Sequence, residues 1–175
     1  MNMSVAQLDT MPETEAAFKL AACCGSAKWV SEMIRWRPYH SRDRMMSAAE
    51  EVADTLENAD WLDAFAHHPR IGEGKAAAPV SAQAEGWSNR EQARVNRISG
   101  AVRSALVEGN FQYERKFGFI FIISAAGRDA DTILSALLAR VENSPEEEMA
   151  IAVQEQRKIT RLRLEKLIEE SEASA

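Results

Sequence analysis

Phe117-Gly118-Phe119-Ile120-Phe121-Ile122-Ile123-Ser124 is the stretch that decides the fold. Eight mostly β-favouring residues in a row ordinarily make a buried strand. Nothing else in the chain offers it a partner, because the apolar residues on either side recur at helical spacing. The sequence therefore predicts an all-α, single-domain bundle of about eight helices, with one buried extended segment near 117–124. A segment without a sheet must satisfy its amides and carbonyls elsewhere. Its backbone is thereby available to a small polar ligand.

Working toward the C-terminus, Gly127 ends the segment and Asp129 or Asp131 caps a helix through Ile133, Leu134, Leu137 and Leu138. Ser144-Pro145-Glu146-Glu147 is a capping box with proline at the first helical position. The last helix then runs through Ile151, Ile159, Leu162, Leu167 and Ile168, leaving 171–175 as a loose tail. Its basic residues Arg157, Lys158, Arg161 and Arg163 read as a mostly solvated face balanced by Glu155 and Glu165. An arginine turned inward from this face would be an anion ligand.

Working toward the N-terminus, a short amphipathic piece from Phe111 to Lys116 follows a turn predicted at Gly109-Asn110. Before it, Ser88-Asn89-Arg90-Glu91 reads as a capping box opening a long helix through Val95, Ile98, Val102 and Leu106. A helix N-terminus also presents unpaired amides to an anion, so Ser88, Glu91 and Gln92 are candidate ligand contacts as well as caps. Residues 73–87, with Gly74, Ala76 to Ala78, Pro79 and Gly86, read as a long connection of the kind that is usually functional or disordered.

Four helices are expected ahead of that connection, after a loose leader over 1–8. Thr10-Met11-Pro12-Glu13 reads as a capping box for Ala17, Leu20, Ala21 and Cys24, with Gly25 as the stop. Ser26 caps a helix carrying Trp29, Val30, Met33 and Ile34, and Ser41 or Arg42 starts another with Met45, Met46, Ala49, Val52 and Leu56. The fourth passes Trp61, Leu62 and Phe65 and reaches His67-His68-Pro69-Arg70-Ile71-Gly72. Pro69 lacks an amide hydrogen and restricts the residue before it, so the helix must end at His68. That imidazole either caps the last carbonyls or exchanges a proton near neutrality. At consecutive helix positions His67 and His68 point about 100° apart, so only one of them faces a pocket. His40 has no motif around it and reads as a loop residue.

Composition excludes several classes. The chain has 175 residues, 46% hydrophobic and 27% charged, with a net charge of −6, which describes a globular domain without a nucleic-acid footprint. No apolar run is long enough for a membrane span, and no signal-peptide core is visible. Cys23 and Cys24 are adjacent, too close for an unstrained disulfide and too few for zinc, and read as reduced core thiols. The last residues, Glu172-Ala173-Ser174-Ala175, are not a Ser-Lys-Leu signal, so the cytoplasm is expected.

Taken together, His-Pro-Arg-Ile-Gly at 68–72, Ser-x-x-Glu-Gln at 88–92, Lys-Phe-Gly-Phe-x-Phe-Ile at 116–122 and Lys-Ile-x-Arg-Leu-Arg-Leu at 158–164 occur in one order and spacing. Over about residues 8–170 the chain resembles 2-oxo-4-hydroxy-4-carboxy-5-ureidoimidazoline (OHCU) decarboxylase, the cofactor-free last enzyme of urate conversion to (S)-allantoin. The resemblance implies an all-α domain, commonly a homodimer, acting on a small anionic ureidoimidazoline with no cofactor and no metal. It implies catalytic roles for His68 and Glu91. Substrate contacts would come from Pro69, Ser88, Gln92 and the backbone of Phe119, Phe121 and Ile123. The substrate-binding arginine is Arg161 or Arg163, and the Arg-Leu pair at 163–164 favours Arg163. Many relatives have Asp-Leu-Ala where this chain has Arg70-Ile71-Gly72, so no role is carried over to Arg70.

The residue types suit that chemistry. Loss of carbon dioxide next to a carbon–nitrogen double bond leaves an electron pair that the imine takes up, so no external electron sink is needed. The protein supplies position, exclusion of water and stereospecific delivery of one proton. Two rivals are weaker. A hydrolase using a metal on His67, His68 and Glu91 lacks any His-Glu-x-x-His or comparable spacing. A non-catalytic helical interaction module explains the capping boxes but neither the 117–124 segment nor the His68–Pro69 placement.

Overall fold

The structure, a computed structural model, describes residues 3–73, 81–93 and 100–168. Among the described residues there are nine α-helices and no β-strand. The chain falls into two compact units, Met1–Ala64 with Arg157–Ala175, and Phe65–Gln156.

In the first unit lie α1 (Val5–Thr10), α2 (Glu13–Cys23), α3 (Ala27–Arg35) and α4 (Arg42–Asp54), with most of α5 (Asn58–Ala66) and the end of α9 (Pro145–Ile168). The expected loose leader is corrected here. Ser4 and Gln7 close a capping box at 3.1 and 2.9 Å, Leu8 is fully buried, and the Met3 amide donates to the Leu167 carbonyl at 2.9 Å. The predicted box at Thr10–Glu13 is corrected by the same helix. The Thr10 hydroxyl is spent on the Ala6 carbonyl at 2.9 Å, and Pro12 takes the cap position of α2 without a side-chain bond. Ser26 and Ser41 cap α3 and α4 as predicted, accepting from Trp29 and Arg44. The buried faces are Leu20, Cys23, Trp29, Met33, Met45, Ala49 and Val52, and both cysteines are buried and unpaired with each other. His40 is a loop residue with φ of 66°.

The second unit holds the end of α5, α6 (Ala82–Glu91), α7 (Gly100–Phe117), α8 (Ala130–Val141) and the first half of α9. Asp129 caps α8 and Ser144 with Glu147 boxes the start of α9. The turn predicted at Gly109-Asn110 does not form, and both residues are buried inside α7. Propensity suggested a turn, and packing overrides it. A Cβ on Gly109 would sit 2.6 Å from Leu137 Cδ2, so glycine is what lets α7 and α8 approach.

The extended segment is present and, among the described residues, has no strand partner, as predicted. Phe121 to Ala125 are buried, with Phe121, Ile123 and Ala125 packed in one cluster with Leu106, Tyr113, Ile133 and Leu137. What replaces the sheet is a set of buried polar side chains. Arg140 Nη1 donates to the Ile122 carbonyl at 2.9 Å, and its guanidinium lies 4.5 Å from the Phe121 ring centroid. The Glu148 carboxylate, fully buried, accepts from Arg140 Nε and Nη2 at 2.8 and 2.5 Å, from Asn143 Nδ2 at 2.9 Å, and from the Tyr113 hydroxyl. Burial first, and then this bond, push the Tyr113 hydroxyl well above the usual phenol range.

Candidate functional site

His68 lies two residues beyond the last residue of α5, its amide donating to the Phe65 carbonyl at 3.1 Å. It is therefore past the helix, not on its last turn, and the helical argument separating His67 from His68 does not apply. Both rings are half-buried. His68 Nε2 is 2.8 Å from Gln156 Oε1, and Gln156 is fully buried on α9. Pro69 is buried directly after the histidine.

The turn that follows is pinned from three sides. Gly72 has φ of 83°, where a side chain is strained, and its amide donates to Gln92 Oε1 at 3.2 Å. Asn110 Nδ2 donates to the Ile71 carbonyl at 3.0 Å. Arg70 makes a bidentate pair with Glu114 at 2.5 and 2.9 Å, and the hydrogen bond to that carboxylate raises the guanidinium's already high pKa. Arg70 thus anchors the turn on α7.

The reading of Ser88-x-x-Glu91 as a helix start is overturned. Ser81 is the N-cap of α6, accepting from the Ala84 amide at 3.1 Å, and the helix is already ending at Glu91. The C-terminal end of a helix leaves carbonyls rather than amides unpaired, so helix N-terminal amides are not what Ser88, Glu91 and Gln92 would offer a ligand. The pattern misled because serine three residues before glutamate is also what an (i, i+3) pair on a helix face looks like. Ser88 and Gln92 are one turn apart on that face, both 5% exposed, with Glu91 half-buried beside them. Val95 and Ile98 fall outside the described residues, as do 74–80 of the predicted connection over 73–87, whose later part is corrected because residues from Ala82 onward are helix α6.

The extended segment adds the remaining expected contacts. Phe119 is half-buried, its ring centroid 5.3 Å from Phe65 and 5.7 Å from Tyr113, and Phe121 stands 5.3 Å from Tyr113. These rings pack against one another. The Ser124 amide donates to Glu155 Oε2 at 2.8 Å. Glu155 is therefore buried, not part of the solvated face assigned to it, and lies 3.7 Å from Arg128 Nη2.

Arg161 and Arg163 are clearly distinguished in the first unit. Arg161 is exposed, 3.4 Å from Glu165. Arg163 is 4% exposed and donates to the Ala22 carbonyl at 3.3 Å. It is the inward arginine.

Gln156, Glu155, Asn110, Arg140 and Glu148 were missed as site-building residues. Their signal was present: Glu148, Gln156 and Arg163 share the face of α9 that carries Ala152 and Ile159. Polar residues on an apolar stripe require partners. Among the described residues, no group of three or more histidine, cysteine, aspartate or glutamate side chains converges as a metal site would, and no helix is long and apolar enough to cross a membrane.

Comparison with known proteins bears directly on this arrangement. The model of the OHCU decarboxylase family matches residues 9–165. A uric acid degradation bifunctional protein of Arabidopsis thaliana is 37% identical over 83% of this chain and 45% of its own length. The chain thus spans less than half of that relative. A 2-oxo-4-hydroxy-4-carboxy-5-ureidoimidazoline decarboxylase of Xenopus laevis is 34% identical over 73% of each chain. A crystal structure of OHCU decarboxylase in the presence of (S)-allantoin superposes with a TM-score of 0.74, at 33% identity, over 87% of this chain and 99% of the other. The family match covers most of the chain, and the chain belongs to the OHCU decarboxylase family.

Proposed function

We propose that the chain is a cofactor-free carboxy-lyase converting 2-oxo-4-hydroxy-4-carboxy-5-ureidoimidazoline to (S)-allantoin and carbon dioxide in urate degradation. The family match over residues 9–165 carries the reading. The geometry supports it, because one compact unit holds His68 on a buried amide, the Ser88–Gln92 face and a buried segment without a sheet.

In this reading the bond between the ring carbon and its carboxylate breaks. Its electron pair forms a double bond to the neighbouring carbon while the imine π pair moves to nitrogen and takes a proton. The resulting enol gives up its hydroxyl proton to become a carbonyl, and the neighbouring carbon receives a proton on one face. His68 and Glu91 carry these two protons. Pro69, Ser88, Gln92 and the backbone of Phe119, Phe121 and Ile123 contact the substrate. Arg163 is assigned its anionic group on the strength of its burial and of the resemblance.

The test is a coupled assay in which urate is oxidised and hydrolysed in situ and the product is followed by circular dichroism. Rapid formation of one allantoin enantiomer, insensitive to EDTA, is expected. General acid–base catalysis is worth ~10²–10⁴-fold, so His68→Ala loses that much turnover with its helical spectrum intact. Slow racemic product with the intact protein would refute the reading. The resemblance also supports a homodimer acting in the cytoplasm, and Val107 and Phe111, exposed one turn apart on α7, are apolar residues an interface would cover. Sedimentation of the protein and of Phe111→Glu tests the dimer.

A further inference from the structure

We propose that Gln156 is a positioning residue for His68, accepting the Nε2 hydrogen so that the neutral ring presents Nδ1 as its basic nitrogen. The inference rests on the reading of His68 as catalytic.

Three observations carry it. Gln156 Oε1 and His68 Nε2 are 2.8 Å apart, within hydrogen-bond range. Gln156 has no exposed surface, in a stripe of α9 that also carries Ala152 and Ile159. A buried amide left unmatched costs about 1–3 kcal/mol, whereas leucine or methionine would fill similar space without needing any partner. The bond to His68 is thus one of the matches a polar side chain at this position requires. The residue before it, Glu155, holds the Ser124 amide at 2.8 Å. Consecutive residues of one helix thus hold the histidine and the extended segment, and with them the spacing of both.

The choice of an amide has a chemical reason. A carboxylate beside Nε2 would favour the imidazolium and take the ring out of use as a base near neutrality. An amide oxygen fixes the tautomer and ring rotation without adding charge. In the same unit Arg70 pairs with Glu114 and Glu155 with Arg128, while half-buried Glu91 on α6 and His67 beside the ring are the other titratable groups whose protonation enters the pH profile.

The experiment compares the full-length protein with Gln156→Leu and Gln156→Glu, reading the ring nitrogens of isotope-labelled His68 by NMR alongside steady-state kinetics. In the unaltered protein Nε2 carries the hydrogen. Gln156→Leu gives mixed tautomers and a fall in kcat of about 10- to 100-fold, the usual range for loss of a partner that orients a histidine, with KM held within about twofold. Gln156→Glu restores the Nε2–H tautomer and part of kcat, with the optimum moved to higher pH. If the leucine variant fails to fold, the glutamate variant still decides, because its tautomer and its pH optimum are both specified.

A His68 ring protonated on Nδ1 in the unaltered protein would overturn the proposal. So would tautomers unchanged in the leucine variant, or changed with kcat intact. His68→Ala, measured in parallel, separates the two levels. Full activity there removes the histidine from the reaction, whereas a large loss there with no effect at position 156 overturns the positioning role alone.

Discussion

Replacing Glu148 with leucine tests how a segment without a sheet is held. The carboxylate is fully buried and accepts from both Nε and Nη2 of Arg140, from Asn143 and from Tyr113. Its removal leaves the Arg140 guanidinium, itself buried, without a counter-charge. Breaking one side of such a pair costs about 3–5 kcal/mol. For a chain of this size, with roughly 2–4 °C of Tm per kcal/mol, the melting point should fall by roughly 6–20 °C. Urea unfolding followed by tryptophan fluorescence measures the free energy.

The double variant Arg140→Leu with Glu148→Leu is the sharper arm. Exchanging a whole buried ion pair for apolar side chains is often neutral, so the second substitution should recover about 2 kcal/mol or more of the first loss. Recovery stops short because the Ile122 carbonyl and the Tyr113 hydroxyl lose their partners, at about 1–3 kcal/mol for each group left unmatched. The segment would also lose its anchor at Ile122 and the cation over Phe121. In the proposed enzyme the double variant therefore regains stability while KM stays raised. Simple additivity of the two stability losses, or a cost below about 1 kcal/mol for Glu148→Leu, would refute the account.

Two glycines should respond oppositely to alanine. Gly86, inside α6 with nothing within 4 Å of an added Cβ, gains about 0.5–1 kcal/mol, while Gly109 loses about 1–3 kcal/mol through its clash with Leu137, both readable by urea unfolding. The corrected start of α6 predicts that Ser81→Ala costs about 1 kcal/mol as a lost cap. A loss of helix stability traceable to capping at Ser88 instead would reverse that correction. Burial pushes the Cys24 thiol up to about 11, and burial likewise raises the Tyr39 and Tyr113 hydroxyls. The folded values lie above the unfolded ones, ~8.5 for thiol and ~10 for phenol, so their contribution is complete below those pH values and is lost as pH rises beyond them. The urea midpoint should accordingly decline in two stages, and Cys24→Ala should flatten the first.

Helical periodicity read from the apolar residues placed α3, α4, α8 and α9 and left the 117–124 segment without a partner, because in those places the dominant force is burial and burial follows spacing. Capping pairs were a less secure guide. Ser26, Ser41, Asp129 and Ser144 do cap, whereas Thr10 and Ser88 carry the same local pattern and lie on helices already under way. A short polar side chain near a helix cannot reveal on its own which turn it occupies. At Gly109-Asn110 a turn signal was cancelled by a long-range demand, the approach of α8 and the need of the Ile71 carbonyl for a donor.

The least legible layer is the polar one inside the apolar one. Glu148, Glu155, Gln156 and Arg163 lie along a single helix at positions that face inward, and each was either passed over or assigned to solvent except Arg163. A stripe search discards polar residues as noise, yet a polar group on a buried stripe is costly unless something specific receives it. Here Tyr113, Arg140 and Asn143 receive Glu148, the Ser124 amide receives Glu155, and His68 receives Gln156. The residues that break the helical pattern of α9 are thus the ones that hold the extended segment and the histidine. Among the described residues no sheet aligns the segment and the histidine, and polar residues at inward helix positions do so instead.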